Sequence, residues 1–301
     1  MKVKDGIIGF IVGDALGVPF EFTSKSRLKE NPVVDMEGYG TYNQPKGTWS
    51  DDSSMTIATM TSILNKKCID YDDMMNEFCE WCYNHKYTNS EKGRFDIGIT
   101  TSDALFNYKQ GTSALDAGCK GERDNGNGSL MRILPLAYIK DIDYETVENV
   151  SSLTHAHKRS RIACALYVEI AKSMLENDLT IEEHIRLACD KIKEYYKDSE
   201  ELVHFQRIFD NDFDEINGKG YVIYTFECVI HSLLTTDNYR DAVLKAVNFG
   251  EDTDTNAAIC GGLAGIYYGF DEIPIDWIES IHQIDEVLSL CEKYEAFCDE
   301  S

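Results

Sequence analysis

Tyr221-Val222-Ile223-Tyr224-Thr225-Phe226-Glu227-Cys228-Val229-Ile230-His231-Ser232-Leu233-Leu234 is the run whose reading separates a helical protein from a mixed one. Its β-branched and aromatic residues have strand propensity. It is nevertheless too long for an ordinary strand and holds no turn residue, so it reads as a buried helix. The sequence on either side agrees. Proline occurs at only five positions, and alternating β-branched runs are few. Met55, Ala58 and Ser62 share one helical face, and Met75, Phe78, Cys79 and Cys82 share another. Thr180-Ile181-Glu182-Glu183 has the form of a capping box, and Ile181, Ile185, Ala188 and Ile192 behind it make the apolar stripe of a surface helix. An all-α fold is expected. Without a low-complexity linker or fixed-period repeat, 301 residues at 43% hydrophobic suit one large domain over 1–301. Glycine and asparagine punctuate 91–98 and 111–128, which read as long surface loops of the kind that carry function.

Charge narrows the function. With 53 acidic against 29 basic residues the net charge is -24, which repels nucleic acid and anionic membrane surfaces. A phosphate-bearing ligand would be repelled too, unless bound cations supply local positive charge. The ten cysteines are scattered, mostly in apolar helical phases, and read as reduced core residues. Cys79-Glu80-Trp81-Cys82 has ligand-like spacing but no matching second pair, so packing is favoured over zinc or redox chemistry. Lys2 and Lys4 before an apolar run faintly imitate a signal peptide, but Asp5 and Asp14 and the missing Ala-x-Ala site make this a buried mature helix. No stretch reaches the roughly 20 apolar residues of a membrane span. A cytoplasmic location is expected.

Two aspartate clusters stand out, Ser50-Asp51-Asp52-Ser53 and Asp252-Thr253-Asp254-Thr255, each opening a helix-like stretch rich in small residues. Serine and aspartate at a helix start are ordinarily explained by capping and the helix dipole, which is reason enough for the first cluster taken alone. The second holds two carboxylates and two hydroxyls in four residues, more than one cap needs. Together they form the oxygen set that hard divalent cations take. An EF-hand is excluded because Ala257 and Leu263 stand where glycine and glutamate are required, and an Asp-x-Asp-x-Thr phosphatase fits poorly because Asn256 stands at the threonine. Gly126-Asn127-Gly128-Ser129 precedes an apolar segment expected to be helical, so its backbone N–H groups could hold a phosphate. It is neither a Walker loop nor a dinucleotide fingerprint. Thr154-His155-Ala156-His157 reads as a polar helix start, or as one histidine donating to an anionic ligand.

A wider set of segments joins these in order: Gly13-Asp14-Ala15-Leu16-Gly17 with Pro19-Phe20-Glu21; Trp49-Ser50-Asp51-Asp52-Ser53-Ser54-Met55; Asp96-Ile97-Gly98-Ile99-Thr100-Thr101; Gly126-Asn127-Gly128-Ser129-Leu130-Met131-Arg132; Thr154-His155; and Gly250-Glu251-Asp252-Thr253-Asp254-Thr255-Asn256. In combination they resemble the ADP-ribosylglycohydrolase family, over about 6–269. The resemblance implies a single all-α domain of many helices around a central cleft holding two divalent cations, Mg2+ or Mn2+. It implies Ser50, Asp51, Asp52, Asp252, Asp254 and Thr255 as metal ligands, with Glu21 reaching the same centre. Gly98, Thr100, Thr101, Gly126, Asn127, Gly128 and Ser129 would flank the diphosphate and ribose, with His155 as a polar contact. Glu21 and Asp96 would be the catalytic carboxylates, one activating water and the other assisting the leaving group, in an order left open.

The implied reaction is hydrolysis of the N- or O-glycosidic bond between ADP-ribose and a protein side chain, arginine by similarity to the bacterial branch. It passes through an oxocarbenium-like state that positioned water and a proton donor both assist. An ADP-ribosylated protein or ADP-ribose-containing small molecule is the implied partner. A non-catalytic ADP-ribose binder and a two-metal hydrolase of another nucleotide remain as alternatives. Two departures are noted: Ser50 and Ser53 replace the family's usual threonines, and Asn125 stands where some members place an aromatic for adenine.

Overall fold

The run that separates the two fold classes is helical from Val222 to Leu234, within a computed structural model that describes residues 3–300. Among the described residues the helices are α1 (Val3–Gly17), α2 (Lys25–Glu30), α3 (Asp51–Lys66), α4 (Tyr71–Asn84), α5 (Ile99–Lys109), α6 (Ala114–Ala117), α7 (Tyr144–Ser152) and α8 (Lys158–Glu176). The second half continues with α9 (Ile181–Tyr195), α10 (Gln206–Asp210), α11 (Val222–Leu234), α12 (Tyr239–Val247), α13 (Thr253–Tyr268), α14 (Ile275–Ser280) and α15 (Ile284–Glu300). Short 3-10 turns join several of them, and extended pairing is limited to isolated bridges. Propensity for strand is overridden in α11 because Val222, Ile223, Phe226, Val229, Ile230 and Leu233 are buried at helical spacing.

The centre is the antiparallel pair α1 and α13. Every residue of α1 except Lys4 is buried, so this helix has no polar face. The two backbones touch. A Cβ at Gly9 would lie 2.4 Å from the Gly261 carbonyl oxygen, one at Gly13 2.2 Å from that of Ala257, and one at Gly17 2.3 Å from Asp254 Cα. Glycine inside a helix costs about 0.5–1 kcal/mol relative to alanine, and here that loss is offset by a contact that no side chain would allow. Tyr239 Oη donates to the Gly9 carbonyl at 2.7 Å, and Thr253 Oγ1 donates to that of Gly17 at 2.7 Å. The last turn of α1 is thereby fixed to the first turn of α13.

The same turn of α1 also holds α3. Asp14 Oδ1 accepts from the Ser50 amide at 3.0 Å, and Asp14 Oδ2 accepts from the Ser53 amide at 3.0 Å and from its hydroxyl. A carboxylate from one helix thus satisfies free N–H groups at the start of another. Both acidic helix starts are therefore moored to one post.

Two local expectations need correction. The segment 111–128 is interrupted by α6, and the segment after Gly128 is a pair of 3-10 turns, Leu130–Arg132 and Leu134–Tyr138, rather than an α-helix. Pro135 lacks the N–H a longer helix would use. The Thr180 capping box forms as read, with Thr180 Oγ1 accepting from the Glu183 amide and Glu183 accepting from the Thr180 amide. All ten cysteines are free; Cys79 and Cys82 are buried, and burial pushes the Cys79 thiol up to about 11. Among the described residues no helix is long and apolar enough to cross a membrane.

Candidate active site

The acidic wall of the site is built by the mooring just described. Ser50 caps α3, its hydroxyl oxygen accepting from the Asp52 amide at 3.3 Å and its O–H reaching Asp52 Oδ2 at 3.2 Å. From α13, Thr255 Oγ1 donates to the same Asp52 oxygen at 3.2 Å, joining side chains 203 positions apart. Asp254 Oδ1 accepts from the Thr255 amide at 2.9 Å, and Asp252 Oδ2 accepts from Asn127 Nδ2 at 2.9 Å. Glu21, Asp96 and Asp254 bring carboxylate oxygens within 4.8 Å of one another.

Glu21 is held there by unusual backbone. Phe22 and Glu251, the residues after Glu21 and before Asp252, both adopt left-handed conformations, with φ of 62° and 65°. Their segments bond directly: the Phe22 amide donates to the Glu251 carbonyl at 2.6 Å, and the Glu251 amide to that of Thr23 at 2.8 Å. Non-glycine residues at positive φ carry strain, and such strain persists where surrounding structure enforces it. Here it binds the Glu21 segment to the start of α13.

The electrostatics of this wall are those of carboxylates without counterions. Burial, reinforced by the neighbouring acids, pushes Asp51, Asp52 and Asp254 well above the ordinary aspartate range; burial raises Asp96 and Asp252 as well, against hydrogen bonds that lower them. Burial and Asp96 together push Glu21 up to about 9, while burial pushes Asp14 to about 6. Tyr42 hydrogen-bonds both Glu21 and Asp96, relieving part of this repulsion. Among the described residues, Glu21 Oε2, Asp52 Oδ1 and Asp254 Oδ2 are buried without a hydrogen-bond partner. Unpaired buried carboxylate oxygens are costly unless a cation meets them. An all-oxygen donor set with surplus negative charge fits hard divalent cations.

Apart from Arg123 and Asp124, the opposite wall is uncharged. It closes a cleft of about 470 Å3 into which Gly98, Thr100, Thr101, Gly126, Asn127, Gly128 and His155 face, across from Glu21, Asp51, Asp96, Asp252 and Thr255. Gly128 is required by close approach, since a Cβ there would lie 2.7 Å from His155 Cε1. Burial, with a smaller contribution from Arg132, drives His155 down to about 3, so its imidazole is neutral. His157 is a cap instead, accepting from the Arg159 amide at the start of α8.

Of the expected site residues, Ser50, Asp52 and Asp254 lie behind the cleft surface, linked to it through Thr255 and Glu21. Ser129 departs further. Fully buried, its hydroxyl accepts from Ser151 at 2.9 Å and sits beside Cys164 Sγ, because the chain turns inward into the 3-10 segment. Asn125 is buried and bonded to the Glu122 carbonyl and Ser160, so it offers no surface for stacking. The hydroxyl of Ser53 is occupied by Asp14. Sequence reasoning missed Tyr42, Arg123 and Asp124. The latter two face the cleft from a loop already read as functional, but nothing around Tyr42 signals its position between two distant carboxylates.

Comparison with known proteins agrees with this geometry. A family model described as ADP-ribosylglycohydrolase matches residues 1–300. An ADP-ribosylarginine hydrolase, Tri1, of Serratia proteamaculans is 29% identical over 301 residues, covering 97% of this chain and 78% of that protein. The ADP-ribosyl-[dinitrogen reductase] glycohydrolase of Rhodospirillum rubrum is 27% identical over 306 residues, with 96% of each chain covered. A solved structure titled ADP-ribosylglycohydrolase-related protein complex superposes with a TM-score of 0.83 at 25% identity, covering 99% of this chain and 98% of that one.

Proposed function

The chain belongs to the ADP-ribosylglycohydrolase family, enzymes that hydrolyse glycosidic bonds, and on that footing we propose that it releases ADP-ribose from modified protein side chains, arginine first. The observation that carries the proposal is the meeting of the α3 and α13 starts with Glu21 and Asp96 in one cation-poor cleft. Two divalent cations, Mg2+ or Mn2+, would be held by Ser50, Asp51, Asp52, Asp252, Asp254 and Thr255, with Glu21 at the edge. Bound there, they supply Lewis-acid polarisation and positive charge for a diphosphate and vicinal ribose hydroxyls.

The protein's own groups do the rest. Gly98, Thr100 and Thr101 at the start of α5, with the Gly126–Gly128 arch, line the space for ribose and diphosphate and present N–H and O–H donors. Glu21 and Asp96 bring carboxylate oxygens close together, with Tyr42 hydrogen-bonded to both. The pair suits one carboxylate to draw a proton from the attacking water and the other to return one to the departing group. The reduced cysteines fit work in the cytoplasm on an ADP-ribosylated protein.

The test is release of ADP-ribose from ADP-ribosyl-arginine, ADP-ribosyl-serine and poly-ADP-ribose, each with Mg2+, Mn2+ or chelator. Metal-dependent release that is fastest from arginine is expected. Undiminished release in chelator would remove the metal mechanism. Calorimetric binding of ADP-ribose without release from any substrate would identify a binder instead.

A further inference from the structure

Arg132 is an anomaly for any account of the cleft. It is fully buried, and among the described residues no carboxylate pairs with it and its Nε and Nη1 have no hydrogen-bond partner. The guanidinium lies 4.6 Å from the Phe78 ring centroid, and Nη2 donates to the Val150 carbonyl at 3.1 Å and to Thr154 Oγ1 at 2.8 Å. Burial lowers it only to about 10, so it stays charged at neutral pH. An uncompensated buried cation is expensive, which invites the question of what its charge does.

The Thr154 hydroxyl answers it. Thr154 is fully buried, and besides Arg132 its oxygen meets His155 Nδ1 at 2.9 Å. Arg132 can only donate. The Thr154 proton therefore needs an acceptor, and the acceptor at hand is Nδ1. Were Nδ1 protonated, the hydroxyl would carry a buried proton with nowhere to go. We infer that Arg132 is a positioning residue that acts through Thr154 to fix His155 in its Nε2–H form, giving the glycine-lined wall an oriented imidazole N–H donor for an anionic ligand group. The Nε2 edge lies against the Gly126–Gly128 arch, where a Cβ at Gly126 would be 3.5 Å from it and one at Gly128 3.2 Å. Arg132 is also the charged group whose field acts on the ring. Cys119, whose backbone bridges to His155, and Cys164, beside Ser129, are thiols that burial keeps protonated. The anionic ligand in this inference rests on the proposed function, whereas the tautomer does not.

The experiment uses 15N-labelled full-length protein in Mg2+ and long-range 1H–15N imidazole spectra across about pH 5.5–8, a window around the ordinary histidine value. Wild type should give Nε2–H alone for His155, unchanged through the window. Thr154→Val should populate Nδ1–H or bring the ring into titration, and Thr154→Ser should restore the wild-type pattern. Arg132→Met should shift it the same way as Thr154→Val, which stands as the readable variant if Arg132→Met does not fold. Calorimetry with ADP-ribose should give roughly tenfold weaker binding for Thr154→Val and little change for Thr154→Ser, the ratio expected from loss of one oriented hydrogen bond. Nδ1–H in the wild type, or an unaltered tautomer in Thr154→Val, would overturn the inference. The expected tautomers with no ADP-ribose binding at all would support the relay and count against the proposed function.

Discussion

Glu21, Asp51, Asp96 and Asp252 face Gly126, Gly128 and His155 across the same cleft, yet the two sides handle charge in opposite ways. On the first, carboxylates crowd together and shift upward because burial disfavours their charge and the neighbouring acids add to it. On the second, the one titratable ring is held neutral by burial, and glycines keep backbone N–H groups accessible. The acidic side gives up stability to be ready for cations, whereas the other side is finished without them. Removing metal should therefore disturb one wall and leave the other as it is.

The strongest way to break that contrast is to delete the acidic wall's central groups. Asp254→Ala and Asp52→Ala should each lower turnover on the order of 1000-fold, with chelator matching them in wild type. Near-wild activity in either variant, measured by ADP-ribose release, would discard the wall as the catalytic centre. Next comes the mooring. Gly13→Val forces a side chain into the Ala257 carbonyl and should destabilise by about 3 kcal/mol or more, read from denaturant midpoints. Metal affinity should fall with it, because Asp14 and Asp254 would no longer be held to the same turn.

The acidic wall also predicts a pH signature. Its carboxylates have folded-state values raised above the unfolded ones, to about 6 for Asp14 and about 9 for Glu21. The folded protein then binds more protons than the unfolded, so stability of the metal-free form should fall as pH rises from about 5 towards 9. Saturating Mg2+ should flatten this slope and add about 2.7 kcal/mol at a hundredfold excess over its Kd. A metal-free melting temperature that climbs through this range would contradict the raised values. A smaller effect is expected at Tyr42, where Phe removes the shared hydroxyl and should slow turnover roughly tenfold while moving the pH–rate profile. Smallest of all is Asn125→Ala, which should cost about 1–2 kcal/mol of stability and leave KM within twofold, since the Asn125 side chain bonds the Glu122 carbonyl in its own loop and Ser160 on α8.

Local pattern is enough for much of this protein. Length and the lack of turn residues identify α11 against its strand propensity, the capping box marks the start of α9, and both aspartate clusters announce themselves at helix starts. Such signals act within a few residues, where backbone hydrogen bonding and side-chain period operate, so they survive without any knowledge of neighbours. Where they fail, the cause is a partner distant in sequence. Ser129 turns into the core beside Ser151, Asn125 is consumed by Glu122 and Ser160, and Tyr42 enters the site through contacts with Glu21 and Asp96. None of these follows from spacing. The meeting of Asp52 with Thr255 depends on glycine contacts that let α1 and α13 close to backbone distance, and on Asp14 capping α3 from that same helix. Clustered acids and hydroxyls, with the family resemblance they carry, can thus suggest the ligands a cation would want, but only the packing of α1, α3 and α13 brings their oxygens to one place, because convergence is a property of the folded chain and not of any segment in it.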